Sequence, residues 1–141
     1  MISSILQTAT RLLMPLLLVF ALFLLLRGHN APGGGFVAGL VVAAAFVLHS
    51  MAYGVAASRR ALLVPPPRLL PIGLSVALIS AVPAAVLGRP FMTGVWTTLG
   101  AGPGGVAVGT PLLFDIGVFL AVIGVVLTIV FTLVDVTVSE R

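Results

Sequence analysis

A carboxylate, two imidazoles and a glycine-rich turn are the parts of this sequence able to hold or move a charge. Asp115 follows Thr110-Pro111 and lies inside a long apolar run. A carboxylate in a membrane-crossing segment costs ~2.5–3.5 kcal/mol at the bilayer centre and less near the interface, so it needs a reason to be there. With Thr110 as N-cap and Pro111 as first helical residue, Asp115 is expected about one turn inside its helix, ~6 Å deep. Two roles stand open for it. It is either an acid favoured by the positive end of the helix and paired with Arg27 or Arg89, or a group that handles a proton or cation directly. His49 lies toward the far end of the second apolar run. There it either relays protons near neutral pH or stays neutral and hydrogen-bonds a neighbouring helix. His29 is placed to donate to a backbone carbonyl or to pair with Asp115. Asp135 and Glu140 follow the last apolar run and read as solvated end charges.

The turn is Arg27-Gly28-His29-Asn30-Ala31-Pro32-Gly33-Gly34-Gly35-Phe36, between two apolar segments. Consecutive glycines contribute nothing to solubility or side-chain packing; they serve where backbone turns tightly or approaches other backbone. Pro32 ahead of them fixes one φ and removes a donor. A rigid polar turn at a membrane border is a shape for another surface to read.

These groups need elements to hold them, and composition decides which. The chain has 141 residues, 60% of them hydrophobic and 7% charged, with a mean hydropathy of +1.31. Soluble domains carry about 25% charged residues, so this is an all-α integral membrane protein. No stretch between the apolar runs is long enough to bury a soluble core. About 20 apolar residues cross ~30 Å of hydrocarbon, and four segments qualify: roughly 10–26, 36–55, 69–87 and 112–134. Arg27-Gly28 closes the first. Ser58-Arg59-Arg60 and Pro65-Pro66-Pro67 separate the second from the third, and a Gly- and Pro-rich loop from Gly88 to Pro111 precedes the fourth. Residues 1–141 are expected to form one transmembrane domain.

Arg11 before the first run resembles a signal-peptide start, but Leu25, Leu26 and Arg27 occupy the cleavage positions, so a retained helix is expected. Arg11, Arg59, Arg60, Arg68 and Arg141 fall on one side, against Arg27 and Arg89 on the other. The positive-inside rule places both termini in the cytoplasm and the glycine turn outside, in a multi-pass membrane protein. Gly117, Ala121, Gly124 and Thr128 on the fourth span, with Gly39 and Ala43 on the second, form stripes that let helices approach closely in lipid.

Several chemistries are excluded. The chain has no cysteine, so disulfides, thiol redox chemistry and thiolate metal sites are out. The two histidines lack a third ligand, so no metal is expected, and no cofactor either. Gly33–Gly35 are not followed by Gly-Lys-Ser/Thr, which leaves a phosphate-cradling loop unsupported. No nucleophile–base arrangement can be built from the spacing, so the chain is not read as an enzyme. The net charge of +4 comes from arginines scattered singly, which does not make a nucleic-acid face.

Arg27-Gly28-His29-Asn30, followed by Pro32-Gly33-Gly34-Gly35-Phe36, resembles the signature of the MnhB (MrpB) family, a component of the multisubunit Na+/H+ antiporter known as the Mrp or Mnh complex. Gly109-Thr110-Pro111-Leu112-Leu113-Phe114-Asp115-Ile116-Gly117-Val118 is similar to the start of that family's last helix. Length, helix count and loop placement agree, so the resemblance covers nearly the whole chain. It implies a small membrane subunit of a large hetero-oligomeric complex that exchanges Na+ for H+, with the other antiporter subunits and membrane lipid as partners. Carried over by position, the motif falls on Arg27, His29, Asn30, Pro32, Gly33, Gly34, Gly35, Phe36, Pro111, Phe114 and Asp115. A role in assembly, and a place along the sodium or proton route, are the expectations. Related segments occur in membrane-bound hydrogenases, which gives an alternative complex. A self-contained homo-oligomeric four-helix transporter is the other alternative. It would want an acid near the middle of the first span, and Met14 to Leu26 contains none.

Overall fold

The computed structural model describes residues 3–27, 34–91, 93–100 and 102–141. The first helix, α1 (Ser4–Arg27), is apolar almost throughout. Pro15 lies inside it, where the missing N–H leaves the carbonyl of Arg11 without its helical donor. Helix α2 (Gly34–Tyr53) follows. It ends at Gly54, whose φ of 90° lies where side-chain-bearing residues rarely go. The chain then resumes as the short α3 (Val55–Ala61). The break expected at Ser58-Arg59-Arg60 is therefore helical, and Gly54 supplies the interruption.

Helix α4 (Pro66–Ile79) begins with a proline in its first turn, where no N–H is needed. It stops at Ser80, and α5 (Val82–Val86) continues with Pro83 near its start. The single span expected over 69–87 is thus broken. Pro83 offers no N–H to the carbonyl of Ile79, and its ring crowds that carbonyl. Among the described residues, four helical segments are long and apolar enough to cross a membrane: Ser4–Arg27, Gly34–Tyr53, Val55–Val86 taken together, and Thr110–Ser139. The last is α6, 30 residues long. At 1.5 Å per residue it reaches ~45 Å, well past the ~30 Å hydrocarbon layer.

The Gly88–Pro111 stretch is more ordered than a loop. Strands β1 (Trp96–Leu99) and β2 (Val106–Gly109) pair antiparallel, Trp96 opposite Gly109 and Leu99 opposite Val106. Gly109 has no side chain because the Trp96 ring lies over it: a Cβ there would sit 2.8 Å from Trp96 Cδ2. The hairpin is tied to the last helix through Thr110. Its N–H donates to the Val95 carbonyl at 3.0 Å, and its hydroxyl accepts from the Val95 N–H at 3.0 Å. Thr110 is consequently the first residue of α6 and not its N-cap, which is Gly109.

The four crossings pack side by side in the order α1, α2, α6, α4. Helices α2 and α6 run parallel, and α4 runs antiparallel to α6. The core lies across α2, α6 and the start of α4, with Phe46, Ile123, Leu127 and Phe131 at its centre. The stripe expected on α6 is what α4 packs against. Added Cβ atoms on Gly117 and Gly73 would meet the other helix's backbone at 2.6 and 2.5 Å, and one on Gly124 would meet Leu70 N at 2.7 Å. Such backbone-to-backbone approach is how helices associate in lipid without a hydrophobic drive.

Candidate functional site

The glycines at the start of α2 meet the acid of α6. Gly34 opens the helix with φ +49°, and a Cβ on it would lie 3.0 Å from Asp115 Oδ2 and 3.1 Å from Oδ1. Gly35 is closer still: its Cβ would fall 2.0 Å from the Asp115 carbonyl oxygen. One turn on, a Cβ on Gly39 would sit 2.9 Å from Val122 Cβ and 3.0 Å from the Phe119 carbonyl oxygen. Both Gly34 and Gly35 are buried, and Asp115 is half-buried.

The carboxylate therefore lies against the first turn of α2, within the first two turns of its own helix. The unsatisfied N–H groups of a helix start carry roughly half a positive charge. Gly34, the start of α2, is level with Asp115, which lies five residues past Thr110, the start of α6. An acid held beside a helix start is positioned to meet a cation or an exchangeable proton.

The neighbouring motif residues frame this point. Pro111 lies over Gly94, whose Cβ would be 3.3 Å from Pro111 Cγ, so the loop before β1 rests on the start of α6. Phe114 is 37% exposed and Phe36 57% exposed, so both rings face away from the packed interior. Arg27 ends α1 and is exposed, as is Arg89 after α5. The expected residues His29, Asn30, Pro32 and Gly33 lie outside the described residues.

His49 stands at the opposite end of α2. From Gly34 it is ~22 Å along the axis at 1.5 Å per residue, so the two ionisable candidates mark different ends of the bundle. His49 Nδ1 lies 2.6 Å from the Ser58 hydroxyl, and its ring is 4.8 Å from that of Tyr53. Ser58 is fully buried on α3, which folds back because Gly54 turns the chain.

Beside it, Arg11 Nε donates to the Tyr53 hydroxyl at 2.9 Å. That hydroxyl donates to the Gln7 carbonyl at 3.2 Å, and Gln7 Nε2 donates to the Ala52 carbonyl at 3.3 Å. Neither Ser58 nor Tyr53 stands out in the sequence; a serine or tyrosine near a helix end carries no spacing signal. Asp135 is not merely solvated. It accepts a bond from Arg59 Nη2 at 2.5 Å, which ties α3 to α6. The Arg59 guanidinium also lies 5.5 Å from the Phe131 ring centroid. Among the described residues, no three His, Asp or Glu side chains come together as a metal site would need.

Known proteins bear on this geometry. Residues 5–128 match the family model described as a domain related to the MnhB subunit of Na+/H+ antiporter. The B-type subunit of the Na(+)/H(+) antiporter of Bacillus subtilis (strain 168) is 39% identical over 92% of this chain and 91% of its own length. A putative antiporter subunit mnhB2 of Staphylococcus aureus (strain MRSA252) is 35% identical over 92% of each chain. Among solved structures, a chain in the Mrp complex from Dietzia sp. DQ12-45-1b superposes with a TM-score of 0.72 at 32% identity over 87% of this chain. The match spans 13% of that much longer chain.

Proposed function

Since the chain belongs to the family of domains related to the MnhB subunit of Na+/H+ antiporters, we propose that it works as a membrane subunit of a multisubunit Na+/H+ antiporter. In that role it transports rather than catalyses, holding the assembly together and placing Asp115 beside the ion route. The observation that carries the second part is Asp115 lodged against the start of α2, its carboxylate at Gly34 and its main-chain carbonyl at Gly35. An acid inside an apolar helix is costly, and here Gly34 omits the side chain that would otherwise cover it, while Gly35 lets the two backbones come close. Both termini face the cytoplasm by the arginine distribution. The start of α2 and Asp115 beside it then lie near the outer face, where an ion enters or leaves.

The alternative of a self-contained homo-oligomeric transporter fits less well, because α1 carries no acid within its span. The related hydrogenase complexes would use the same packing, and only the neighbouring subunits separate the two.

The test is Asp115→Asn. The substitution keeps shape and removes the charge. The expected result is normal complex assembly with reduced or pH-shifted antiport in everted vesicles. Loss of the assembled complex instead would assign Asp115 to scaffolding alone.

A further inference from the structure

The polar cluster around Tyr53 is one end of a longer groove. A crevice of ≈330 Å³ opens between α1 and α2, lined at its polar end by Thr10, Arg11, His49 and Tyr53 and below them by Met14, Pro15 and Leu18. Leu18 also lines the adjoining groove of ≈450 Å³, which continues past Leu22 and Leu25 on α1 and past Phe46 and Val42 on α2. Positions 11, 18, 22 and 25 fall on one face of α1, and positions 53, 49, 46 and 42 on the facing side of α2. The two hollows meet at Leu18 and form a single slot running along α1 and α2, polar at one end and apolar for the rest. Its apolar part is walled also by Leu62, Leu63 and Val64 after α3, by Leu69 on α4 and by Phe119 on α6. From Arg11 to Leu25 it runs ~21 Å at 1.5 Å per residue, compared with ~15 Å for half the hydrocarbon layer.

We propose that this slot binds one anionic phospholipid, its phosphate at Arg11 and His49 and an acyl chain along Leu18, Leu22 and Leu25. Charge selects the occupant. Arg11 spends only Nε on Tyr53, and its terminal nitrogens make no other hydrogen bond among the described residues. The lining of the slot includes no carboxylate. His49 holds Ser58 with Nδ1 and so presents its other edge to the crevice. A polypeptide helix is a poorer occupant, because an apolar helix brings nothing to satisfy the guanidinium. Basic pockets between membrane helices on the cytoplasmic side are suited to lipid headgroups. The inference rests on membrane embedding alone and stands whether or not Asp115 touches the transported ion.

The test uses the full chain carrying Leu22→Trp and Trp96→Phe, so that one tryptophan reports from the slot. It is placed in phosphatidylcholine nanodiscs containing a minor share of phosphatidylglycerol with brominated chains, and compared with discs containing brominated phosphatidylcholine instead. The expected result is a roughly five-fold preference for the anionic lipid, the scale of one arginine–headgroup contact at a membrane surface. Arg11→Gln should abolish the preference and Arg11→Lys retain it. In the intact complex, Arg11→Gln should reduce the anionic phospholipid retained through detergent washing, read by native mass spectrometry. Equal quenching by the two lipids overturns the proposal, as does a preference indifferent to Arg11. Unchanged retention in the complex, with a partner helix in the slot, overturns it as well.

Discussion

Gly35→Ala is the sharpest single perturbation of the proposed site. The added Cβ would lie 2.0 Å from the Asp115 carbonyl oxygen, 2.8 Å from its carbonyl carbon and 3.0 Å from the Phe119 nitrogen. All three are backbone atoms, so no side-chain rotation relieves the clash. Ordinary contact begins near 3.4 Å, so the start of α2 must retreat from α6 by about 1.4 Å. Overpacking of a close-fitted contact costs about 1–3 kcal/mol, and 1.4 kcal/mol is a factor of ten in a populated state. The retreat also draws Gly34 away from the Asp115 carboxylate. Gly35→Ala is therefore expected to cut assembled complex about ten-fold on native gels and to lower antiport in what remains. Gly104→Ala is the control, since nothing lies within 4 Å of its Cβ position. Wild-type assembly and antiport in Gly35→Ala would refute the α2–α6 contact as described.

Other substitutions probe the opposite end. Ser58→Ala removes a fully buried hydroxyl 2.6 Å from His49 Nδ1 and leaves a polar nitrogen short of its partner; thermal melting in detergent should show a loss of about 1–3 kcal/mol. Arg59→Gln breaks the Asp135 pair, whose side chains are 42% and 58% exposed. Its cost should stay below about 1 kcal/mol, and high salt should mask it. Gly54→Ala meets no neighbour within 4 Å but forces a side chain to φ +90°. Backbone strain of about 1–3 kcal/mol should follow, and proteolysis near α3 in everted vesicles should report it as faster cleavage.

How much of this is legible in the sequence depends on which physical term decides each feature. The membrane class and four crossings follow from the shortage of charge and the length of the apolar runs, and those terms dominate in lipid. Asp115 stands out because a carboxylate is conspicuous against leucine and valine. Its neighbour does not. That Gly34 and Gly35 lie beside it follows from α2 and α6 being adjacent and parallel, a relation set by packing and invisible along the chain. The sequence offers Arg27, Arg89 and His29 as partners, since complementary charge and hydrogen bonding are the pairing signals it displays.

The hairpin escapes sequence reading because its strands are four residues each, and the intervening glycines read as loop. The alternation of two short strands is too brief to register against such a background. The interruption at Ser80 is carried by Pro83, which sits in an apolar run long enough to read as one unbroken span. Gly54 is a plain glycine among small residues until its positive φ marks it as the turn.

The glycine contacts have a mechanical side. Where two helices touch through side chains, rotamer changes can absorb a small displacement of either one. Between α2 and α6, and between α6 and α4, much of the contact is backbone on backbone, with no such cushion. Those three helices form a stiff plate in which a shift at Asp115 moves the start of α2 with it. Helix α1 differs: only Thr10, Ala21 and Leu25 are buried along it, and it rests on one edge of the plate. Any working motion of this subunit must then be either the plate tilting as one piece or α1 sliding along its edge. Crosslinking α1 to α2 would silence the second while leaving the first free.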